Sequence, residues 1–181
     1  MKYSAKRIIY TIGHSTHSLD EFIQMLQSFL IKSVVDIRRF PGSKKFPQFN
    51  QKNLEINLTE LGIKYLHLEG LGGRRKDNGN SENSRWRNAS FRGYSTYMET
   101  DDFKTAISQL IDIASQNITV YMCSEAVWWR CHRAMVSDYL KAKGWEVRHI
   151  MAIGKFEEHP YTSAAKVVDG KVSYSENDNH N

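Results

Sequence analysis

The sequence predicts an α/β fold: one domain built on a mostly parallel β-sheet of about five strands, with helices on both faces and a C-terminal β-hairpin. Three observations carry this. Short β-branched runs alternate with segments of helical period, polar residues gather directly after the strand runs, and an Asp-Gly pair sits between two short apolar stretches near the end. Residues 7–12 are a β-branched run of buried-strand type, followed by the loop Gly13-His14-Ser15-Thr16-His17. Ser18 and Glu21 then form a capping box, opening a helix that presents Phe22, Met25, Leu26, Phe29 and Leu30 on one face. Residues 33–37 make a second strand, ending at Asp36 and followed by Arg38-Arg39-Phe40-Pro41-Gly42.

Asn50 caps a helix over 51–61 whose apolar positions are Leu54, Ile56, Leu58 and Leu61, and 63–68 is a third strand. A further helix opens at Asp101 or Asp102 and reaches Ala114, presenting Phe103, Ala106, Ile107, Leu110, Ile111 and Ala114. Residues 118–122 are a fourth strand, 129–143 a helix and 145–151 a fifth strand. Asp169-Gly170, within 165–174, is the signature of a two-residue hairpin. The domain is expected to end at residue 174, with 175–181 a disordered polar tail.

Strands alternating with helices imply a parallel sheet covered on both faces. Such sheets bind ligands beyond the carboxyl ends of their strands. His14, Ser15, Asp36, Arg38, Glu69, Cys123 and Glu125 all stand at or just after a strand end, so they are expected along one edge. The stretch 69–95 breaks the rhythm. It is long, glycine-rich and basic, with Arg74, Arg75, Lys76, Arg85, Arg87 and Arg92, and a loop of this length is either functional or disordered.

The chain has 181 residues, 40% of them hydrophobic and 25% charged, enough for a core without staples. Its net charge of +5 is compatible with an anionic partner without locating a site for one. It carries two cysteines, no N-terminal apolar segment of signal-peptide length and no run near the roughly 20 apolar residues of a membrane span. Cys123 and Cys131 therefore read as reduced thiols in a cytoplasmic protein with no membrane contact.

The segment Cys123-Ser-Glu-Ala-Val-Trp-Trp-Arg-Cys-His-Arg133 is the leading candidate for chemistry. Cys123 ends a strand, and Cys131-His132-Arg133 fall in the first turns of the next helix, where unpaired N–H groups and the helix dipole favour anions. The same field lowers a thiol's pKa. Glu125 and His132 stand within reach as base and acid for a nucleophile. The plainer readings are that either cysteine packs as a small hydrophobe and that His132 and Arg133 form a helix-face pair. The cysteine and histidine spacing matches no usual zinc set, so neither a metal nor a cofactor is expected.

His14 reads as a phosphate contact or proton relay, or else as a loop cap. Asp36 with Arg38 reads as an acid and its orienting cation, although taken alone an internal ion pair explains the two better. Tyr94, Tyr97 and Met98 suit a ring-binding pocket or plain core. Trp86, Trp128 and Trp129 stand beside Arg85, Arg87 and Arg130, a combination that stacks on bases and pairs with phosphates.

Thr11-Ile-Gly-His-Ser15, Val35-Asp-Ile-Arg38 with Pro41, Leu71-Gly-Gly-Arg-Arg75, Phe91-Arg-Gly-Tyr94 with Tyr97-Met98, Met122-Cys-Ser-Glu125 and Cys131-His-Arg133 occur in this order. In these motifs, and in His159-Pro-Tyr-Thr162 behind them, the chain resembles the bacterial and archaeal family called domain of unknown function 488. The resemblance covers nearly the whole chain. It implies a compact α/β domain with a shared polar set of His14, Ser15, Asp36, Arg38, Tyr94, Cys123, Glu125, Cys131, His132 and Arg133, and it implies no reaction. Where the family usually has proline between the glutamate and Cys-His-Arg, this chain has Trp128, so the loop lacks proline's fixed φ and is expected to be less stiff.

The leading functional expectation is an enzyme acting on a nucleotide or nucleic acid at the carboxyl edge of the sheet. Cys123, Glu125, His14, Asp36 and His132 would do the chemistry, and Ser15, Arg38, Arg74, Tyr94, Tyr97, Cys131 and Arg133 would bind substrate and phosphate. The alternatives are a non-catalytic nucleic-acid-binding module and a redox-responsive protein in which Cys123 and Cys131 form a reversible disulfide.

Overall fold

A computed structural model describes residues 6–79 and 82–177. Eight strands and five α-helices follow one another: β1 Ile8–Gly13, α1 Leu19–Ser28, β2 Ser33–Asp36, α2 Gln51–Glu60, β3 Lys64–His67, α3 Ala89–Tyr97, α4 Asp101–Gln116, β4 Thr119–Cys123, α5 Arg133–Ala142, β5 Glu146–Ala152, β6 Lys155–Glu158, β7 Lys166–Val168 and β8 Lys171–Ser173. Because a strand points successive side chains to opposite faces, the apolar runs of β1 and β4 feed two separate cores. Ile9 and Tyr121 join Tyr94, Phe103, Leu110, Met135 and Leu140 on one face of the sheet. Tyr10, Ile12, Val120 and Met122 join Phe22, Leu26, Leu54 and Leu58 on the other. Helices α3, α4 and α5 cover the first face, and α1 and α2 the second.

The sheet runs β3-β2-β4-β1-β5-β6, and β6 alone is antiparallel. The predicted parallel sheet of five strands is present, and β6 is an addition. It follows a turn at Gly154, and all four of its residues are exposed, so it shows no burial alternation that a sequence reading could detect. The C-terminal hairpin forms as predicted. Asp169 and Gly170 both take positive φ, +50° and +70°, the backbone of a type I′ turn.

Several local expectations change. Ser18 caps α1 by accepting from Glu21 N at 3.1 Å, but the Glu21 carboxylate turns to His17 at 2.9 Å rather than back to the cap. Helix α1 stops at Ser28, so Leu30, in left-handed backbone at φ +56°, leaves the apolar face and is 67% exposed. In α2 only Leu54 and Leu58 are buried, while Ile56 and Leu61 face solvent. Asn50 occupies the N-cap of that helix as expected, but its side chain accepts from Ser43 N rather than from the first turn.

The predicted helix over 129–143 divides into a 3₁₀ turn, Trp128–Arg130, and α5, which begins only at Arg133. The stretch 69–95 contains a 3₁₀ turn, Glu69–Leu71, and the start of α3, which Asn88 caps. In the predicted tail, Ser175 N bonds Ser173 Oγ at 3.2 Å, and residues 178–181 lie outside those described. Among the described residues no helix is long and apolar enough to cross a membrane.

The topology places a crevice. Neighbouring strands β1 and β4 send their following loops to opposite faces, one toward α1 and the other toward α5. Such a divergence opens the sheet edge for a ligand. Two ladder bonds continue past the strands, His14 N to Cys123 O at 3.0 Å and Ser15 N to Ser124 O at 2.9 Å, and fix the two loops against each other. The end of α1 provides a test of these boundaries. Leu26→Ala is expected to lower unfolding free energy by about 2–5 kcal/mol, and Leu30→Ala to change it by less than about 0.5 kcal/mol, in urea denaturation. Equal losses would place Leu30 in the core after all.

Candidate active site

The crevice is a cleft of about 610 Å³ at the carboxyl edge of the sheet. Of the residues singled out from sequence, His14, Ser15 and Arg38 line it from the β1 and β2 ends, and Cys123, Glu125, Cys131 and His132 from the β4–α5 loop. Arg74 and Tyr94 close the side facing α3. Asp36, Tyr97, Arg133 and Glu69 do not line it.

Their positions explain why. Asp36 is fully buried and accepts four donors: Arg38 N at 3.0 Å, Arg38 Nε at 2.9 Å, Arg38 Nη2 at 2.6 Å and Tyr65 Oη at 2.6 Å. A carboxylate so saturated orients Arg38 and has no room to exchange protons with a ligand. Tyr97 donates to Gly70 O at 2.7 Å, and its ring carries the Arg75 guanidinium at 3.7 Å. Tyr94, although it lines the cleft, is 1% exposed and donates to Leu71 O at 2.7 Å, so it braces the wall.

The two cleft histidines differ in what they leave free. His14 stacks on Phe49 with centroids 4.3 Å apart, lies 3.0 Å from Ser15 O through Nδ1, and lies 3.4 Å from Arg38 Nη1 through Nε2. The donor Arg38 assigns the proton to Nδ1. Burial pulls its pKa down to about 4, so the ring is neutral. In His132, Nε2 donates to Ile37 O at 3.0 Å, which leaves Nδ1 as an acceptor with no hydrogen bond among the described residues. Burial lowers its pKa as well. Gly73 lies so close that a Cβ there would sit 2.7 Å from that Nδ1, and a larger residue would displace the ring.

The floor holds the thiols. Cys123 Sγ and Cys131 Sγ are 3.1 Å apart, 2% and 7% exposed as residues. Cys131 Sγ also faces Arg133 N at 3.4 Å and Arg133 Nε at 3.5 Å. Burial works against a charge on Cys131, but the bonds from Cys123 and Arg133 overcome it and hold its pKa well below the ordinary thiol value. Cys123 moves the other way: burial and its bond to Cys131 push it well up. Of the two thiols, Cys131 is therefore the one whose contacts favour the thiolate form, rather than the strand-end Cys123.

Arg133 itself is internal, 1% exposed. Its guanidinium donates to Glu125 O at 2.6 Å and to Thr11 Oγ1 at 3.2 Å. Gly13 permits this arrangement, since a Cβ at that position would overlap the Glu125 carbonyl oxygen.

A buried polar chain behind Arg133 was not recognised from sequence. Thr11 Oγ1 bonds His149 Nδ1 at 2.7 Å, His149 Nε2 bonds His159 Nδ1 at 2.9 Å, and His159 Nε2 bonds Asp138 Oδ1 at 2.9 Å. Asp138 also accepts from Thr162 Oγ1 at 2.6 Å and Tyr174 Oη at 2.9 Å. Trp128 stacks flat on His149, centroids 4.6 Å apart and planes 4° off parallel, with its edge partner His159 at 4.9 Å. At the position where the family usually has proline, this ring ties the loop to His149 and His159.

The charge pattern is one-sided. Arg39, Arg74 and Arg130 line the cleft and form no ion pair among the described residues, against one lining carboxylate, Glu125. Arg39 Nη1 bonds Arg74 O at 2.9 Å, bringing two of these cations together. Arg74 and Ser15 hold positive φ, +58° and +47°, uncommon backbone for such residues and located at the cleft. Of the other arginines of the glycine-rich stretch, Arg75 bonds Gly72 O, Arg85 bonds Ala164 O and Arg92 pairs with Asp77, while Arg87 is exposed. Trp86 packs on Phe91 and Tyr174. Arg39 and Phe40 follow directly on the strand end at Asp36 and were within reach of the strand-end rule. Phe46 and Phe49 were not, because only folding brings them to His14. Among the described residues no group of three or more His, Cys, Asp or Glu side chains is placed to hold a metal ion.

Compared with known proteins, residues 18–140 match the family model of the domain of unknown function DUF488. No curated protein and no solved structure matches the chain.

The buried histidines generate a pH dependence. Burial holds His149 at about 2 and His14 at about 4, both below the unfolded value of about 6.5. The unfolded chain therefore binds protons that the folded chain refuses, and stability falls as pH drops below 6.5. Between pH 7 and 5 each histidine is expected to contribute a loss of up to about 2 kcal/mol. Urea denaturation of His149→Gln at both pH values should show a smaller drop than the parent, and an unchanged drop would reject a neutral His149.

Proposed function

The chain belongs to the DUF488 family, and from that premise we propose that its cleft binds a phosphate-containing substrate, a nucleotide or nucleic acid, and acts on it as an enzyme. The observation that carries this reading is the cleft's charge: Arg39, Arg74 and Arg130 without acidic partners, over a floor that contains two thiols. Guanidinium groups engage phosphate oxygens two at a time, and such charge-assisted bonds are the stronger kind. Phe40, 61% exposed at the same wall, offers an apolar face for a base ring.

In this reading Cys131 is the nucleophile, His132 Nδ1 is the acceptor poised for a proton, and Glu125 lines the cleft beside them. His14 and Arg38 are positioning groups, held by Phe49 and Asp36. A reducing cytoplasm, which keeps both thiols free, is part of the proposal. A non-catalytic nucleic-acid-binding module has less support, because Arg75, Arg85, Arg92, Trp86 and Trp128 are engaged within the fold.

The test is titration with inorganic pyrophosphate, a nucleoside triphosphate and a short single-stranded oligonucleotide, followed by fluorescence of Trp129, which is 49% exposed beside Arg130. At least one is expected to bind with an affinity that falls as salt rises. Replacing Arg74 and Arg130 by glutamine should weaken it about tenfold per arginine and reduce the salt slope by about one per lost contact. Cys131→Ser should retain binding and abolish turnover of the ligand. Absence of salt-sensitive binding by all three ligands would overturn the proposal.

A further inference from the structure

Arg133 poses a problem of charge. Its guanidinium does not lose its proton in proteins. It is 1% exposed, and among the described residues no carboxylate oxygen lies within ion-pair distance of it. Its oxygen partners are the neutral Thr11 hydroxyl and the carbonyls of Glu125 and Ala126. A buried cation without a counter-charge is strongly unfavourable. The one ionisable atom it touches is Cys131 Sγ, met by both the backbone N and the side-chain Nε of the same arginine. The pair is neutral only when that sulfur is a thiolate.

The second thiol is already aligned. Cys123 Sγ lies 3.1 Å from Cys131 Sγ, and closing to a disulfide of about 2.05 Å requires roughly 1 Å of movement. Cys123 is fixed at the end of β4, and Cys131 sits on the short connection between the 3₁₀ turn and α5. Both cysteines line the cleft at its floor and are 2% and 7% exposed, a setting that favours a small oxidant over a bulky one.

We propose that Cys131 and Cys123 are the attacking and resolving thiols of a site that reduces small hydroperoxides. The activity uses the floor of the cleft and does not depend on the arginines gripping a phosphate. The Cys131 thiolate attacks one peroxide oxygen, the O–O bond breaks, and an alkoxide or hydroxide leaves and takes a proton from water. Cys131 becomes a sulfenic acid, oxidised by two electrons. Cys123 then attacks the sulfenic sulfur, an S–S bond forms, and the Cys123 proton leaves with the sulfenic oxygen as water. A dithiol reductant restores both thiols and is itself oxidised to a disulfide.

The experiment uses the reduced full chain with hydrogen peroxide, in buffer free of phosphate compounds, so that its result is independent of the ligand titration. The parent is expected to consume one peroxide per chain and lose two titratable thiols, which a dithiol restores. At pH 7 an ordinary thiol is only a few per cent ionised, so a standing thiolate should react about tenfold faster than glutathione, allowing for its lower intrinsic nucleophilicity. Cys123→Ser should stop at the sulfenic acid, trapped by dimedone as one adduct on Cys131. Cys131→Ser should lose at least about tenfold in rate. Two thiols still free after excess peroxide, or a Cys131→Ser rate equal to the parent's, would overturn the proposal. Either result would leave the phosphate-binding proposal standing on its own titration.

Discussion

The Arg133 guanidinium, enclosed where β1, the β4–α5 loop and the start of α5 meet, is the interaction on which the site's geometry depends. It ties Thr11 in β1 to the carbonyls of Glu125 and Ala126 and to Cys131. Each tie restricts a different segment, and together they set the width of the crevice that the strand order opens. Gly13 belongs to the same constraint, since the Glu125 carbonyl reaches the arginine only across the space a side chain would occupy. Breaking a buried charge pair by removing one partner typically costs about 3–5 kcal/mol, so this arrangement is not a marginal surface contact.

Behind the arginine, the chain from Thr11 through His149 and His159 to Asp138 fixes its orientation. The carboxylate accepts from His159, which determines where that ring carries its proton, and the assignment then runs outward bond by bond to Thr11 and Arg133. Thr11 precedes the residues matched by the family model, and His149 and His159 follow them. Trp128, stacked on His149, couples the same chain to the loop above it. The C-terminal hairpin participates too, because Tyr174, just after β8, bonds Asp138.

The legible parts of this molecule are those governed by local rules. The β-branched runs, the Ser18 cap, the Asp169-Gly170 turn and the clustering of His14, Ser15, Arg38, Cys123 and Glu125 all follow from chain-local chemistry or from where strands end. Depth is less legible. A cation after Cys131-His132 looks exposed in sequence, but α5 begins at Arg133 itself, and this start turns the side chain under the loop rather than out to solvent. Asp36 reads from sequence as an acid or, better, as an ion-pair partner of Arg38, but nothing local shows that Tyr65, from another strand, saturates it. Leu30 matched the helical period, yet the helix ended before it. Long-range partners such as Phe49 beneath His14 leave no signal within their own segment.

The cleft's chemistry follows from how charge is divided between wall and floor. On the wall, Arg39, Arg74 and Arg130 keep their charge unmatched by protein acids, a state that favours any anion able to displace water. On the floor, Arg133 faces the Cys131 sulfur and is enclosed by protein, so it offers little to an incoming phosphate. His14 and His132, both kept neutral by burial, add no charge that would blur the division. An anion drawn to the wall would sit above the Cys131 sulfur without competing for the cation that sulfur faces. Under the proposed reading, that separation would let one crevice bind an anion above and keep a nucleophile below, an arrangement that a single shared arginine could not support.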